Sequence, residues 1–395
     1  MVQEQKAFDV IILGGGAAGL MCAQQAGRRG RRVVLMDRAR RLGTKILLSG
    51  GGKCNFTNRQ CSAENYISSN PHFCKFALAQ FGPGDFLDLA GQYHIAYEER
   101  DHGQLFCRRS AEDIVQMLIE LCLQHQVTFL LDCSVHSITK EKQFIITTNQ
   151  GTITAESLVV TTGGLSYPQA GAGDLGYQIA RQFGLAVTAC RPGLVPLQYN
   201  PVEQSILTEL TGISVEAAVT CRNKTFRENI LFTHTGLSGP AILQISNYWL
   251  PGDTITIDWL PEIDVYQLLL DRKQTSGSAA IPSILSHYLP SRLVRLWSQP
   301  PFPDIPLAQC TLSQLRRAAD SINRWPFQPG GTEGYAKAEV TLGGIDTGEL
   351  SSKTLEAKMV KGLYFIGEVL DVTGQLGGYN LQWAWSSGYA AGCAV

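Results

Sequence analysis

The stretch DVIILGGGAAGLMCAQQAGRRGRRVVLMD, residues 9–37, decides the fold. Asp9 to Leu13 is a short β-branched, apolar run of the kind a buried parallel strand shows. Gly14, Gly16 and Gly19 follow it directly as G-x-G-x-x-G. From Ala17 to Arg29, apolar Leu20, Met21 and Ala23 stand against polar Gln24, Gln25 and Arg28, which predicts a helix. Val33 to Met36 reads as a second strand, and Asp37 ends it. Strand, glycine turn, helix, strand and acid in this order make a complete dinucleotide-binding unit. The glycines permit a tight turn and a close approach of backbone N–H groups to a pyrophosphate, with Ala17 and Ala18 opening the helix at that point. Asp37 stands where a carboxylate takes both ribose hydroxyls of an adenosine.

Gly171, Gly173 and Gly176 repeat the same spacing, but Pro168 interrupts their approach and no strand precedes them. That copy reads as a loop opening a helix. Two later segments complete the first unit. Leu158 to Gly164 (LVVTTGG) is a strand ending at Thr162 and Gly163, where the chain returns to the nucleotide sheet. KGLYFIGEVLDVTGQLGGYNLQWAWSSGYAAG, residues 361–392, supplies a strand (Leu363 to Ile366), then Gly367 and Glu368, then Gly377 and Gly378 before a final helix. Glu368 can hydrogen-bond a ribityl hydroxyl. The start of the last helix, with Tyr379 and Asn380, can direct positive dipole at a flavin's pyrimidine edge. A nucleotide fold split in this way suits FAD, which spans the domain, better than NAD. Trp383 and Trp385 on that helix either stack on a base or pack the FAD domain against its insert.

Composition narrows the class. The chain has 395 residues, 44% hydrophobic and 17% charged, enough for two or three domains of a soluble protein. A formal net charge of −1 excludes a global bias toward nucleic acid or anionic membrane. The eleven cysteines contain no C-x-x-C pair and no metal-ligand spacing. No secretory signal and no membrane span is legible, so the reading is a cytoplasmic protein with reduced thiols and no metal.

A second glycine-rich stretch, KILLSGGGKCNFTN (residues 45–58), follows the second strand on the edge that faces a cofactor in this fold. Backbone N–H groups of Ser49, Gly50 and Gly51 can reach a pyrophosphate or a flavin ring. Lys45 and Lys53 add positive charge, and Asn55 adds an amide. Cys54 has two readings, a proton donor or thiolate beside the flavin, and a small buried residue packing under the loop.

With SGGGKCNFTN (49–58), LFTHTGLSGPAILQIS (231–246), KAEVTLGGID (337–346) and GEVLDVTGQLGGYNLQWAWSSG (367–388), the chain resembles the BaiN-like, YhiN-type bacterial flavoproteins, which are NAD(P)/FAD-dependent oxidoreductases. One segment departs. Where that family tends to have G-R-x-F-P-x-S, this chain has GQLFCRRS, Gly103 to Ser110. The resemblance implies an α/β architecture with a Rossmann-like FAD domain (1–192 and 361–395), an inserted β-barrel-like domain (193–260 and 325–360) and a small helical domain (261–324). It also implies reduction of a polarised C=C bond, with FAD as cofactor and NAD(P)H as electron donor. The substrate it points to is a uridine in large-subunit (23S) ribosomal RNA, reduced to dihydrouridine. The alternatives are a small enone, amine or alcohol, and a non-catalytic flavin protein that binds the ribosome. Cys54, His234 and Tyr379 are the candidate acids, with a structural role as the other reading of His234.

One charge pattern bears on RNA. Residues 27–41 hold seven arginines, and Arg108 and Arg109 form a second basic pair. Arg28, Arg29, Arg31, Arg32, Arg108 and Arg109 are therefore candidate phosphate contacts. The other reading is a solvated helix end and turn.

Overall fold

The computed structural model describes residues 6–296, 302 and 305–395. The chain divides into two compact units, Met1–Arg191 with Val340–Val395, and Pro192–Glu339.

The first unit is built on strand β1 (Lys6–Leu13), helix α1 (Ala17–Arg28) and strand β2 (Val33–Met36). β1 pairs in parallel with β2, Val10 against Val33 and Leu13 against Met36. Its four core residues, Val10 to Leu13, are all buried, as a strand covered on both faces must be. Helix α2 (Thr44–Leu48) and strands β3 (Asn55–Asn58), β4 (Tyr97–Arg100) and β5 (Gln104–Cys107) follow. The last three form a small antiparallel sheet in the order β3-β5-β4. The main sheet is completed by β6 (Thr128–Leu130), β7 (Val135–Lys140), β8 (Phe144–Thr148), β9 (Gly151–Val160) and β10 (Leu363–Phe365). Its order is β6-β2-β1-β9-β8-β7, with β10 also on β9.

Strand β9 serves two partners along its length. Residues 151–155 pair antiparallel with β8, and Leu158 to Val160 pair in parallel with β10. The chain's last strand therefore sits beside its first unit's central strands, and the nucleotide fold is split as the sequence implies. The final helix, α3 (Tyr379–Ala394), lies along α1. Glycines allow the close approach. A Cβ at Gly388 would stand 2.5 Å from the Ala18 carbonyl oxygen.

The second unit holds a seven-stranded antiparallel sheet. Its order runs Trp325–Phe327, Ile255–Asp258, Ser214–Cys221, Lys224–Phe232, Gly236–Ser238, Leu197–Gln198, Gly331–Thr332. The first and last strands in that order are neighbours in the chain, so the sheet curls toward closure. Helices Val265–Thr275, Ile281–Leu285, Ser291–Leu296 and Leu312–Asn323 belong to the same unit.

Two boundaries differ from the sequence reading. The helices of residues 261–324 do not stand apart. Their Val265, Leu269, Leu293, Leu315 and Ile322 share one core with Trp259, Phe232 and Phe327 of the sheet. Residues 340–360 belong with the first unit. The buried Thr341 hydroxyl accepts the backbone N–H groups of Leu165 (2.8 Å) and Ser166 (3.1 Å), and the Thr188 N–H donates to the Gly344 carbonyl at 2.8 Å. Leaving those buried amides unpaired would cost about 1–3 kcal/mol each, which fixes the segment there.

Candidate active site

The glycine turn after β1 is shaped by two opposite demands. A Cβ at Gly19 would stand 1.9 Å from the Gly14 carbonyl oxygen, so that position closes helix on strand. A Cβ at Gly16 would meet nothing within 4 Å. Gly16 is also the N-cap of the twelve-residue α1, and no side chain caps it. Uncapped N–H groups and positive dipole thus face open space, the arrangement that takes a pyrophosphate. Asp37 is fixed at the mouth of the turn. Its Oδ2 accepts from the Gly15 N–H at 2.6 Å and its Oδ1 from the Ala39 N–H at 2.7 Å, leaving a lone pair on each oxygen for hydroxyl donors.

The end of β9 lies against this turn, with Thr161 Oγ1 donating to the Gly14 carbonyl at 2.8 Å. The next hydroxyl, Thr162 Oγ1, is buried without a partner. Beyond it, Glu368 Oε2 accepts from Lys45 Nζ at 2.7 Å, and Glu368 Oε1 accepts from the Thr341 N–H at 3.0 Å. A Cβ at Gly163 would be 3.7 Å from Glu368. The Gly367 peptide is held on α3, its N–H by Ser387 Oγ and its carbonyl by the Trp383 indole, each at 3.1 Å. The α3 N-terminus is likewise uncapped, with Gly378 as N-cap at φ 94°. An open anion cradle, an orphaned buried hydroxyl, a half-buried carboxylate–ammonium pair and a second bare helix end fit FAD. Gly14, Gly16, Ala17, Ala18, Gly19 and Asp37 would hold its adenosine diphosphate. Thr162, Gly163, Lys45, Gly367, Glu368 and Gly378 would hold its ribityl and flavin parts.

The second glycine stretch explains itself in the small sheet. Gly50 and Gly51 adopt left-handed backbone, φ 56° and 65°, and a Cβ at Gly50 would press into the Phe106 ring at 2.8 Å. The turn is tied down by the Cys107 N–H to the Lys53 carbonyl (2.9 Å) and the Ala111 N–H to the Gly52 carbonyl (2.8 Å). It delivers β3 to α3. Thr57 Oγ1 donates to Gln382 Oε1 at 2.5 Å, Asn58 Nδ2 to the Gly377 carbonyl at 3.0 Å, and the Trp385 indole to the Phe56 carbonyl at 2.8 Å. The glycine loop thus sets the strand that pins the flavin-facing helix. Ser49, Gly50, Gly51 and Lys53 line the exposed side of this turn or its rim.

Several predicted roles change. Cys54 is wholly buried, and burial pushes its thiol up, with a Ser49 contact acting weakly the other way. It packs under the loop, and the structure gives it no path to a substrate. Tyr379 is also buried. Its ring meets Tyr66 edge-on at 6.3 Å and its phenol is pushed up by desolvation. His234 lies in the second unit, exposed, with Nδ1 3.5 Å from Thr211 Oγ1. The structure therefore does not bring the three candidate acids together. Asn380 does not extend its amide to a cofactor. Its Oδ1 accepts from the Gly374 N–H at 2.8 Å and its Nδ2 donates back to the Gly374 carbonyl at 2.9 Å, bracing the preceding loop. Trp383 and Trp385 pack within the first unit.

The arginine strip is largely spent internally. Arg29 donates to the carbonyls of Gly392 (3.1 Å) and Val395 (2.7 Å) at the end of α3. Arg31 pairs with Glu156 at 2.8 Å and Arg32 with Asp9 at 2.7 Å. Arg109 pairs with Asp113. Among the described residues, Arg28 and Arg108 are exposed without an acidic partner. The local charge excess expected from the sequence is therefore much smaller than the count of arginines. Where the family pattern places an arginine, this chain's Gln104 turns into the small sheet beside Gly377, so neither Arg108 nor Arg109 occupies that place. Thr341, which organises Glu368 and the 165–166 turn, went unread. Only its place in KAEVTLGGID marked it. Among the described residues, no cluster of three or more His, Cys, Asp or Glu side chains could hold a metal ion, and no helix is long and apolar enough to cross a membrane.

Comparison with known proteins agrees with this geometry. The family model described as HI0933-like protein Rossmann domain matches residues 8–394. The chain is 50% identical over 386 residues to a protein of Escherichia coli (strain K12) named ribosomal RNA dihydrouridine synthase, covering 97% of this chain and 96% of that one. A protein of the same name from Haemophilus influenzae is 46% identical over 392 residues, covering 98% of each. The 3-dehydro-bile acid delta(4,6)-reductase of Clostridium scindens is 30% identical over 410 residues, covering 97% of this chain and 98% of that one. Among solved structures, a quinol-fumarate reductase with menaquinol superposes with a TM-score of 0.51 at 16% identity, over 99% of this chain and 71% of that one. That likeness concerns the fold alone.

Proposed function

The chain belongs to the HI0933-like Rossmann family, whose members here are FAD-dependent oxidoreductases, and from that premise we propose that it reduces a uridine of large-subunit ribosomal RNA to dihydrouridine. The observation that carries this reading is the 50% identity, along 97% of the chain, to a protein named for that reaction. Reduction of uracil places a hydride on C6, which is conjugate to the C4 carbonyl, and a proton on C5. FAD, when bound, supplies the hydride, and we take NAD(P)H as the source of its electrons. The chain's own contributions are binding, orientation and the proton.

Orientation rests on the bare end of α3, where developing negative charge on the pyrimidine edge is favoured. Lys45 fixes Glu368, which has no other side-chain cation within reach among the described residues. For the proton, His234 is the one of the three candidate acids with an exposed side chain, and we keep it as the proposed donor. Arg108 and Arg28 are the proposed phosphate contacts, being exposed and unpaired. A ribosomal RNA substrate also places the protein in the cytoplasm.

The test is mass spectrometry of ribosomal RNA from cells lacking this protein. Loss of one uridine carrying two extra hydrogens supports the reading. An unaltered RNA refutes it. The second reading, reduction of a small enone, is favoured by the 30% identity to the bile-acid reductase. It is distinguished by oxidation of the reduced protein by a steroid enone but not by RNA.

A further inference from the structure

The turn that opens α3 has little stiffness of its own. Gly377 and Gly378 stand at φ 122° and 94°, a region glycine enters and leaves freely. Three side-chain amides hold it. Asn58 Nδ2 bridges the carbonyls of Gly377 and His102, each at 3.0 Å. Asn55 is oriented so that its Nδ2 donates to the carbonyls of Leu105 and Thr57, and its Oδ1 accepts from the Gly378 N–H, all at 3.2 Å. The Gln104 amide meets that same Asn55 oxygen at 3.0 Å. Gln104 also closes over the turn, its Cγ 3.4 Å from where a Gly377 Cβ would be.

We propose that Gln104 is a positioning residue for the flavin-facing end of α3, and that through Asn55 it sets the redox potential of the bound flavin. The proposal rests on the reading that FAD binds against this helix end. A helix N-terminus favours reduced over oxidised flavin because reduction places negative charge at the pyrimidine edge. That preference depends on how the Gly377–Gly378 peptide points. Asn55 fixes it, and Gln104 fixes Asn55 by donating to the oxygen that receives the Gly378 N–H. Removing the Gln104 amide leaves Asn55 free to rotate, and the glycine turn loosens with it.

The test is the midpoint potential of the FAD-loaded protein. Gln104→Leu keeps the side chain's reach and removes its hydrogen bonds. A tenfold weaker preference for reduced flavin is expected, which for a two-electron couple is a potential lower by about 30 mV. Gln104→Glu offers only acceptors and adds negative charge, so its fall should be larger. Flavin content and melting temperature should match the parent in both. A flavin-loaded Gln104→Leu protein with the parent's potential overturns the inference and leaves the cofactor reading standing. A parent protein that takes up no FAD overturns both.

Discussion

Replacing Cys54 by alanine separates packing from chemistry at the glycine loop. The side chain is wholly buried, and its backbone stands at φ 50°. A left-handed backbone costs a residue with a Cβ about 1–2 kcal/mol, but alanine keeps the Cβ, so that cost cancels between the two proteins. What alanine removes is one buried sulfur, and it leaves a void. By the transfer and cavity terms for a group of that size the loss is roughly 1–2 kcal/mol. For a unit of this size that is a melting temperature lower by about 2–8 °C. Cys54→Gly loses the same contacts but relieves the backbone, so it should be the less damaged of the two. If the thiol were the proton donor, the rate would instead fall by about 10²- to 10⁴-fold. The assay pairs thermal unfolding of the FAD-loaded protein with stopped-flow oxidation of its reduced form by a uridine-containing RNA. Expected are a lower melting temperature and an unchanged rate. An unchanged melting temperature with a hundredfold slower rate would falsify the packing argument.

Gly16→Val should leave the empty chain folded and abolish FAD binding, because the added side chain meets no protein atom and fills the anion's approach. Gly19→Ala should destabilise the empty chain itself, since its Cβ would lie 1.9 Å from a carbonyl oxygen. Equal effects in unfolding and flavin titrations would refute the distinction. Changing Arg29, Arg31 and Arg32 together to Gln should barely alter the salt dependence of RNA binding. Arg108→Gln should reduce the slope of log affinity against log salt by about 0.9, read from binding titrations at several salt concentrations. Burial pushes the thiols of Cys22 and Cys54 up, and those of Cys107 and Cys122 to about 12. An unfolded thiol loses its proton near pH 8.5, so above that pH the unfolded chain binds fewer protons than the folded one. Stability is then fully present below about pH 8.5 and falls as pH rises, by about 1.4 kcal/mol per unit for each such thiol. A melting temperature flat between pH 8 and 10 would show that these thiols ionise in place.

The fold was legible where backbone chemistry is local. Asp9 to Asp37 carries its strand, turn, helix and acid in one run, and each residue's role follows from its neighbours. The return of Leu363–Phe365 to β9 was legible because Gly367 and Glu368 end that strand just as Thr162 and Gly163 end its partner. The helical segment of residues 261–324 was misread as separate. Leucine spacing shows that a helix has an apolar face but not which surface covers it, and here it is the core around Trp259. Residues 340–360 were placed in the wrong unit for a related reason. Their attachment is made by the Thr341 hydroxyl, and a threonine in a β-branched run carries no mark of its partner.

The site divides along the same line. Glycines announce themselves because only a required conformation or approach justifies them, so the cofactor cradle could be read from sequence. Charge and nucleophilicity do not announce themselves. An arginine is equally good at binding a phosphate, pairing an aspartate or capping a helix, and Arg32, Arg31 and Arg29 do the last two. A cysteine beside a flavin loop has the composition of a catalyst and the burial of a core residue. In both cases the deciding quantity is what surrounds the side chain from elsewhere in the chain. Gln104 shows the converse. It resembles nothing catalytic, and it gains its importance because Asn55, forty-nine residues before it, holds the N–H of Gly378. Function in this protein thus depends on amides acting through amides on a glycine turn, and that layer becomes visible only when the small sheet and the last helix are seen together.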